Sequence, residues 1–574
     1  MTGHRAWKRT LALLLALPAL MLVQLFQTQP GFASTSLNGD GSSWAGPALD
    51  QWRLDVEPQG IVIQFNPDGS AAGRNNWSQG QDDFTASDVP FRTTADAGAG
   101  AGAGGQYGLG QPEKPNYGYS YVPVTAGGTA FMYNLKVGGQ QVTNLRLSPD
   151  TIVKIFTGQI TYWDDPAILH DYGGTLPHIP ITPVVRSDGS GATAQFTRYM
   201  EHTHQSEWDA YCRQVLGVVC GDYTEFYPAS GHMVAQNGSD VVANYIQGPT
   251  GLGTIGYDEY AYALRANWPV VKVLNPAGYY SLPTASNVAV ALTAAKIRGV
   301  DDNTSPSDPN YLQQNLDGVY TMTDPRSYPI SSYSYLIVPR GGASLPVPPR
   351  FSNDKGAALS TYIDYILCAG QGEAAQLGYS PIPRNLVRGG LLQVSHIPGQ
   401  VGGVNPNTLQ NCPNPTFNSA GQLTVLTTAP MPSPCDKLGA PLDCTAGGSG
   451  GGSGGSGGGA GGASGGTGGT GGSAGTGGAA GGAAGGGGTV IDPQTGQVVP
   501  VGAGTGSVAG SGGVGSAGAA TVVALAGGQD DWMLSGLTGV ELLGVVALPP
   551  LLGAYLRRRR RAAGDGPTPG GGDR

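Results

Sequence analysis

The stretch Val184–Met200, VVRSDGSGATAQFTRYM, sets an arginine, an aspartate and a Gly-Ser-Gly turn directly before an amphipathic helix. A turn of small residues feeding a helix leaves several backbone N–H groups facing one space, and the helix dipole makes that space favourable for an anion. Ser190 adds a hydroxyl donor, and Arg186 adds a planar guanidinium suited to two parallel hydrogen bonds with an oxyanion. Asp188 is placed to hold Arg186 in position. An Asp/Gly/Ser turn with Ser190 as N-cap explains the same residues without any ligand. Recurrence of the pattern favours the anion. NPDGSAAGRNNW (66–77) has Gly69-Ser70 at a second strand-to-helix turn, and GDGSSWAGPALDQW (39–52) has Ser42 and Ser43 at a third. DDFTASDVPF then contributes Asp88, an acceptor in a set otherwise made of donors. An acceptor suits an anion that still carries a proton: hydrogen phosphate has an O–H to give, whereas sulfate has none and meets like-charge repulsion.

The elements that must position these residues follow an α/β rhythm. GIVIQF ends at NPDGS, ITPVV at RSDGS and SYSYLIVP at RGG, each a β-rich run stopped by a turn. Helices are expected over Ala192–Tyr199, with Ala192, Phe196, Tyr199 and Met200 on one face, and over Asn353–Leu367. A foldable region of roughly 36–445 is long enough for two lobes. The insert AGAGAGAGG (97–105) reads as a surface loop. From 445 to about 520 the chain is Gly/Ser/Ala/Thr-rich and carries too little apolar surface to fold. A Gly450/Gly452/Gly455 match to the nucleotide fingerprint falls inside that tract, with no strand before it or helix after it.

Other function classes find little support. The 39 acidic residues outnumber the 30 basic ones, and five of the arginines sit together at Arg557–Arg561, so the body is acidic and nucleic acid is not an expected partner. DGSGA is not a nucleophile elbow, because Asp188 and Ala192 stand at its glycine positions. The H-x-H pair His202 and His204 lies in a polar helical setting and reads as surface rather than as a metal site. Neither catalysis, a metal nor a cofactor is expected.

Both ends of the chain point to export. Arg5, Lys8 and Arg9 precede an apolar run, Leu11–Leu25, and the small residues GFAS set cleavage after Ala33. Trp532–Leu556 is long and apolar enough to span a bilayer and stops against RRRRR, although Glu541 and Pro549-Pro550 interrupt it. Six cysteines in an exported chain imply disulfides. Fifteen pairings are formally open, and proximity favours Cys212 with Cys220 and Cys435 with Cys444, leaving Cys368 for Cys412.

Six segments, taken in order, resemble the phosphate-binding proteins of bacterial phosphate ABC transporters: LNGDGSSWAGPALDQW, DGSAAGRNNWSQGQDDFTASDVPF, LSPDTIVKIFTGQITYWDDPAIL, ITPVVRSDGSGATAQFTRYM, GTIGYDEYAYAL and YPISSYSYLIVPR. The resemblance implies a two-lobed α/β periplasmic-binding-protein fold, type II-like, closing over the anion. It implies phosphate contacts at Ser43, Trp44, Ser70, Asp88, Arg186, Ser190, Gly191 and the Ala192 amide, with Asp188 steadying Arg186. Where the family usually has threonine after the second glycine of DGSG this chain has Ala192, with Thr193 one place on, and Trp44 stands where phenylalanine is more usual. With the leader at 1–33 read from the sequence itself, the lobe boundaries that the resemblance implies are 36–123 with 276–445 for one lobe and 124–275 for the second. A glycine-rich disordered tether at 446–530, a transmembrane helix at 532–556 and a basic cytoplasmic tail at 557–574, again read from the sequence itself, complete the organisation. The expected function is a monomeric extracytoplasmic receptor that delivers inorganic phosphate to an ABC-type permease. The alternative is a membrane-tethered surface protein of the same fold acting in phosphate sensing or adhesion without transport.

Overall fold

Short runs of Val, Ile, Tyr and Thr that end on Asp, Gly or Ser form strands whose chain then turns into a helix. A computed structural model describes residues 34–100, 109–342, 344–442 and 444, and the backbone of 489–491 and 498–500. Its principal strands are β1 (Thr35–Gly41), β2 (Ile61–Asn66), β3 (Phe84–Ser87), β4 (Tyr119–Tyr133), β5 (Thr182–Arg186), β6 (Val234–Gln236), β7 (Thr254–Glu259) and β8 (Ser331–Pro339). They lie side by side in the order β2-β1-β3-β8-β4-β7-β5-β6. The β1, β2 and β3 strands run parallel to one another, as do β5, β6 and β7, so each end of the row is a parallel α/β unit.

Strand β4 joins these units into a two-lobed α/β fold. Its residues Tyr119–Gly128 pair antiparallel with β8, and Thr129–Tyr133 pair antiparallel with β7. The changeover comes at Gly127-Gly128. A Cβ at Gly127 would lie 2.3 Å from Glu259 Oε2, so only glycine lets the end of β7 approach there.

The helices that matter for the site are α1 (Gly46–Val56), α2 (Ser70–Ser78), α3 (Gly191–Thr203), α4 (Gln205–Leu216), α5 (Ser239–Gln247) and α6 (Asn353–Leu367). Helix α6 has the bounds its sequence pattern predicts. Ser352 caps it by accepting the Lys355 amide, and Leu359, Tyr362, Ile363 and Ile366 bury one face at i, i+3, i+4, i+7 spacing. On α3 the expected face is buried, and Phe196 packs edge-on against Phe131 and Phe156 with ring centroids 5.2 and 5.1 Å apart. Burial of such an aromatic contributes about 2–3 kcal/mol, which fixes the helix whose N-terminus carries the site.

Three disulfides, Cys212–Cys220, Cys368–Cys412 and Cys435–Cys444, use all six cysteines. The last loop bonds to residues of the β4–β7 side: Lys272 Nζ lies 2.6 Å from Asp436 Oδ1, and Arg146 donates to the carbonyls of Cys435 and Ala440.

Two sequence expectations need revision. The Ala/Gly insert is not wholly a surface loop, because Gly98 and Ala99 are buried. A Cβ at Gly98 would come 2.0 Å from the Phe226 carbonyl oxygen, and Ala99 packs with Ala71 and Phe226; small residues permit this contact. Within the glycine-rich tract, the backbone of Thr489–Ile491 pairs antiparallel with that of Val498–Pro500, two short runs rich in β-branched residues. The leader at 1–33, the rest of the tract, the 532–556 segment and the 557–574 tail lie outside the described residues. Among the described residues no helix is long and apolar enough to cross a membrane.

Candidate functional site

Every candidate residue lies at the C-terminal end of a parallel strand or at the start of the helix that follows, where open α/β sheets bind ligands. Ser42, Ser43 and Trp44 follow β1, Ser70 opens α2, and Asp88 follows β3. Arg186 ends β5, and Ser190, Gly191 and Ala192 lead into α3. The structure brings all of them together across the seam between the two parallel units. Ser43 Oγ lies 3.0 Å from Arg186 Nη2, and a Cβ at Gly191 would fall 2.0 Å from Asp88 Oδ2. Glycine at 191 therefore lets the start of α3 close against the carboxylate.

Amides supply much of the chemistry. The first residues of α2 and α3 have no helical carbonyl behind them to accept their N–H groups. Ala71 N finds Gly189 O across the seam at 3.2 Å, and Thr193 N finds Ser190 Oγ at 3.4 Å. The amides of Ser43, Trp44, Ser70, Gly191 and Ala192 meet no acceptor among the described residues. Five N–H groups without an acceptor thus lie near Arg186 and several buried hydroxyls, a set of donors of the kind that suits an oxyanion.

Arg186 is held by four side-chain hydrogen bonds. Its Nε and Nη2 donate to the two oxygens of Asp188 at 2.8 and 2.5 Å, its Nη1 to Ser239 Oγ at 3.0 Å and its Nη2 to Ser43 Oγ. Asp188 also accepts the Gly238 amide at 3.1 Å. Burial by itself would raise the pKa of Asp188, but the Arg186 guanidinium and the Gly238 amide outweigh it and hold the carboxyl below its ordinary value. Asp258, also buried beside Arg186, is pushed up to about 6 by burial.

Asp88 has no such cation bonded to it. Its carboxylate accepts hydroxyls instead: Ser42 at 2.8 and 2.9 Å, Ser70 at 3.2 Å and Ser334 at 2.5 Å. Burial raises its pKa, against the pull of those hydroxyls and of Arg186. Gln195 and Gln314 both donate to its main-chain carbonyl, the latter at 2.8 Å. Trp44 turns its ring away to meet Tyr379 edge-on, and its carbonyl accepts the Tyr379 hydroxyl. Thr193 does not stand in for a threonine at 192, since its hydroxyl is taken by Tyr257 at 2.7 Å, whose own hydroxyl accepts the Arg186 amide at 3.3 Å. Ser239 and Ser334, which the sequence motifs do not single out, supply the extra hydroxyls.

Behind the site a buried ion pair crosses the same seam. Arg74, one turn along α2 from Ser70, reaches Glu225 at 2.6 Å, Glu113 at 2.9 Å and Ser87 at 2.9 Å, and the Glu225 carbonyl accepts the Ser190 amide at 2.9 Å. Among the described residues no His, Cys, Asp and Glu group could hold a metal. His202 faces Asp317 at 3.7 Å and His204 bonds Thr203.

Residues 27–369 match the family model described as the PBP superfamily domain. The chain belongs to the PBP superfamily. Among curated proteins this PBP superfamily chain is similar to the phosphate-binding protein PstS of Xylella fastidiosa, 29% identical over 62% of this chain and 84% of that protein. It is similar also to the phosphate-binding protein PstS 2 of Mycobacterium tuberculosis, 27% identical over 61% of this chain and 84% of that protein. A solved structure of a phosphate-binding protein from Stenotrophomonas maltophilia matches 62% of this chain and 92% of its own at 16% identity, with a TM-score of 0.40.

Proposed function

We propose that this chain is an extracytoplasmic receptor that binds inorganic phosphate without covalent chemistry and presents it to an ABC-type permease. The observation that carries the reading is Asp88: a buried carboxylate set among amides and hydroxyls, across a seam from a clamped arginine. Such a site takes a ligand that is both anion and proton donor, which describes hydrogen phosphate. In this reading Ser43, Trp44, Ser70, Gly191 and Ala192 give amides, and Arg186 and Ser190 give side-chain donors. Asp188 steadies the arginine, and Asp88 accepts the hydrogen bond donated by the O–H of the ligand. The names of the curated relatives point to the same ligand. Export, the glycine-rich tether, a C-terminal membrane anchor and a monomeric receptor complete the proposal.

Calorimetric titration of the full chain, freed of prebound ligand, tests it. Phosphate is expected to bind and sulfate to bind far more weakly. No heat with phosphate sinks the receptor, and equal binding of sulfate removes the role given to Asp88. Deletion of 530–574 is expected to release the protein into the medium; retention on cells argues against the anchor.

A further inference from the structure

Helix α3 connects the site to a second feature. Gly191 touches Asp88, Gln195 one turn later donates to the Asp88 carbonyl, and Arg198 another turn on shares the same face, about 10 Å from the helix start. There it lines a cleft of about 440 Å³ between α3, α4 and the segment 298–320. Gln314 forms the inner wall of the cleft with its Nε2 on the Asp88 carbonyl, so the cleft and the site are separated by little more than two glutamine side chains.

Arg198 differs from every other arginine around the site. Its side chain is only 13% exposed, yet among the described residues its guanidinium makes no hydrogen bond. It rests on the ring of Tyr223 with its Cζ 4.3 Å from the centroid, and Asp222 lies 3.7 Å away. Tyr320 and Gln314, 4% and 6% exposed, line the same cleft, and behind its surface the Tyr320 hydroxyl and Gln314 Oε1 are buried without a partner among the described residues. Arg298 adds a second guanidinium. The acidic groups Asp222 and Asp317 sit at the rim, 78% and 63% exposed, where water screens them, whereas the charge of Arg198 is sheltered. Glu201, with one oxygen unpartnered, and His202 also line the cleft. A buried cation with free N–H groups, beside a phenol and an amide oxygen able to accept a proton, suits the same hydrogen phosphate that the inner site takes.

We propose that this cleft is an outer docking subsite, where Arg198, assisted by Arg298, receives inorganic phosphate before it passes Gln195 and Gln314 to the Arg186 site. The proposal rests on the phosphate-receptor reading. Arg198 acts on capture and makes no contact with the finally bound ion.

Stopped-flow phosphate binding to the full chain, followed by the fluorescence of Trp44 and the other tryptophans, tests it alongside calorimetry. Arg198→Met is expected to lower the association and dissociation rates by a similar factor of about ten, so that the affinity read by calorimetry stays within about twofold, and to flatten the dependence of the association rate on ionic strength. Arg198→Lys is expected to restore most of the rate. Asp222→Asn and Asp317→Asn, which alter exposed carboxylates, are expected to raise the association rate about two- to threefold, a gain that misfolding cannot mimic. An unchanged association rate in Arg198→Met, a loss confined to the dissociation rate, or no gain in either aspartate variant overturns the subsite while leaving phosphate binding standing. If the unmodified chain binds no phosphate in the calorimeter, both readings fall.

Discussion

Asp88 and Asp188 are buried carboxylates on opposite sides of one site, and burial pushes both pKa values upward. Their neighbours separate them. Asp188 meets the guanidinium of Arg186 through two parallel hydrogen bonds and ends below its ordinary value, a permanent anion serving a permanent cation. Asp88 is hydrogen-bonded at its carboxylate only by serine hydroxyls, and these, with the more distant charge of Arg186, pull its pKa down less than burial pushes it up. One aspartate is thus held below its ordinary pKa by a bonded cation, and the other lies above it with only hydroxyls bonded to its carboxylate. A serine hydroxyl can rotate to give or to accept, whereas a guanidinium can only give, so the hydroxyl-lined carboxylate is the one that adjusts to a ligand.

The largest break in this contrast is Arg186→Met, which removes the guanidinium proposed to grip the ligand and leaves Asp188 without its cation. Phosphate affinity is expected to fall about 10²- to 10⁴-fold in calorimetry. Asp88→Asn is expected to act on selectivity: the preference for phosphate over sulfate shrinks about ten- to hundredfold, because the like-charge barrier to sulfate is gone. If sulfate remains as poorly bound as before, the carboxylate is not the discriminator.

Stability against pH separates the two aspartates with opposite signs. The pKa of Asp88 in the fold lies above its ordinary 3.8, so its protonated form is favoured in the folded state and stability is lost as pH rises from about 4 through the folded value. The melting temperature of Asp88→Asn relative to the unmodified chain is therefore expected to rise across that window. Asp188 is depressed, so its contribution is present above its ordinary 3.8 and is lost as pH falls through the lower folded value. The deficit of Asp188→Asn is expected to stay constant near neutrality and to shrink only below about pH 4. Parallel curves for the two variants in thermal melts contradict the comparison.

The smallest effects are expected at the start of α3. Ala192→Thr restores the hydroxyl usual in the family and is expected to tighten phosphate binding by less than about tenfold. Thr193→Val leaves affinity unchanged and costs about 1 kcal/mol of stability, since that hydroxyl serves Tyr257. Affinity loss in Thr193→Val would mean that the two threonine positions are interchangeable.

Sequence order carried the strand-turn-helix starts, the Arg186 arm and the α6 bounds because each is set by residues within a few places of one another. The disulfides were legible for the same reason: two of them close loops with separations of only 8 and 9 residues. Ser334 and Ser239 were not, since they reach Asp88 and Arg186 from strands and helices 246 and 53 residues away in the chain. The role of Thr193 was also hidden. One residue of helix is about 100° of rotation, enough to turn its hydroxyl toward Tyr257. The buried part of the glycine insert escaped because composition describes how a segment behaves alone, not which surface is shaped to receive it.

The terminal disulfide loop adds a mechanical asymmetry. Arg146 and Lys272 fasten residues 435–440 to the half of the molecule that holds the Arg186 arm, not to the half that holds Asp88. A pull on the chain beyond residue 444 is borne first by that half.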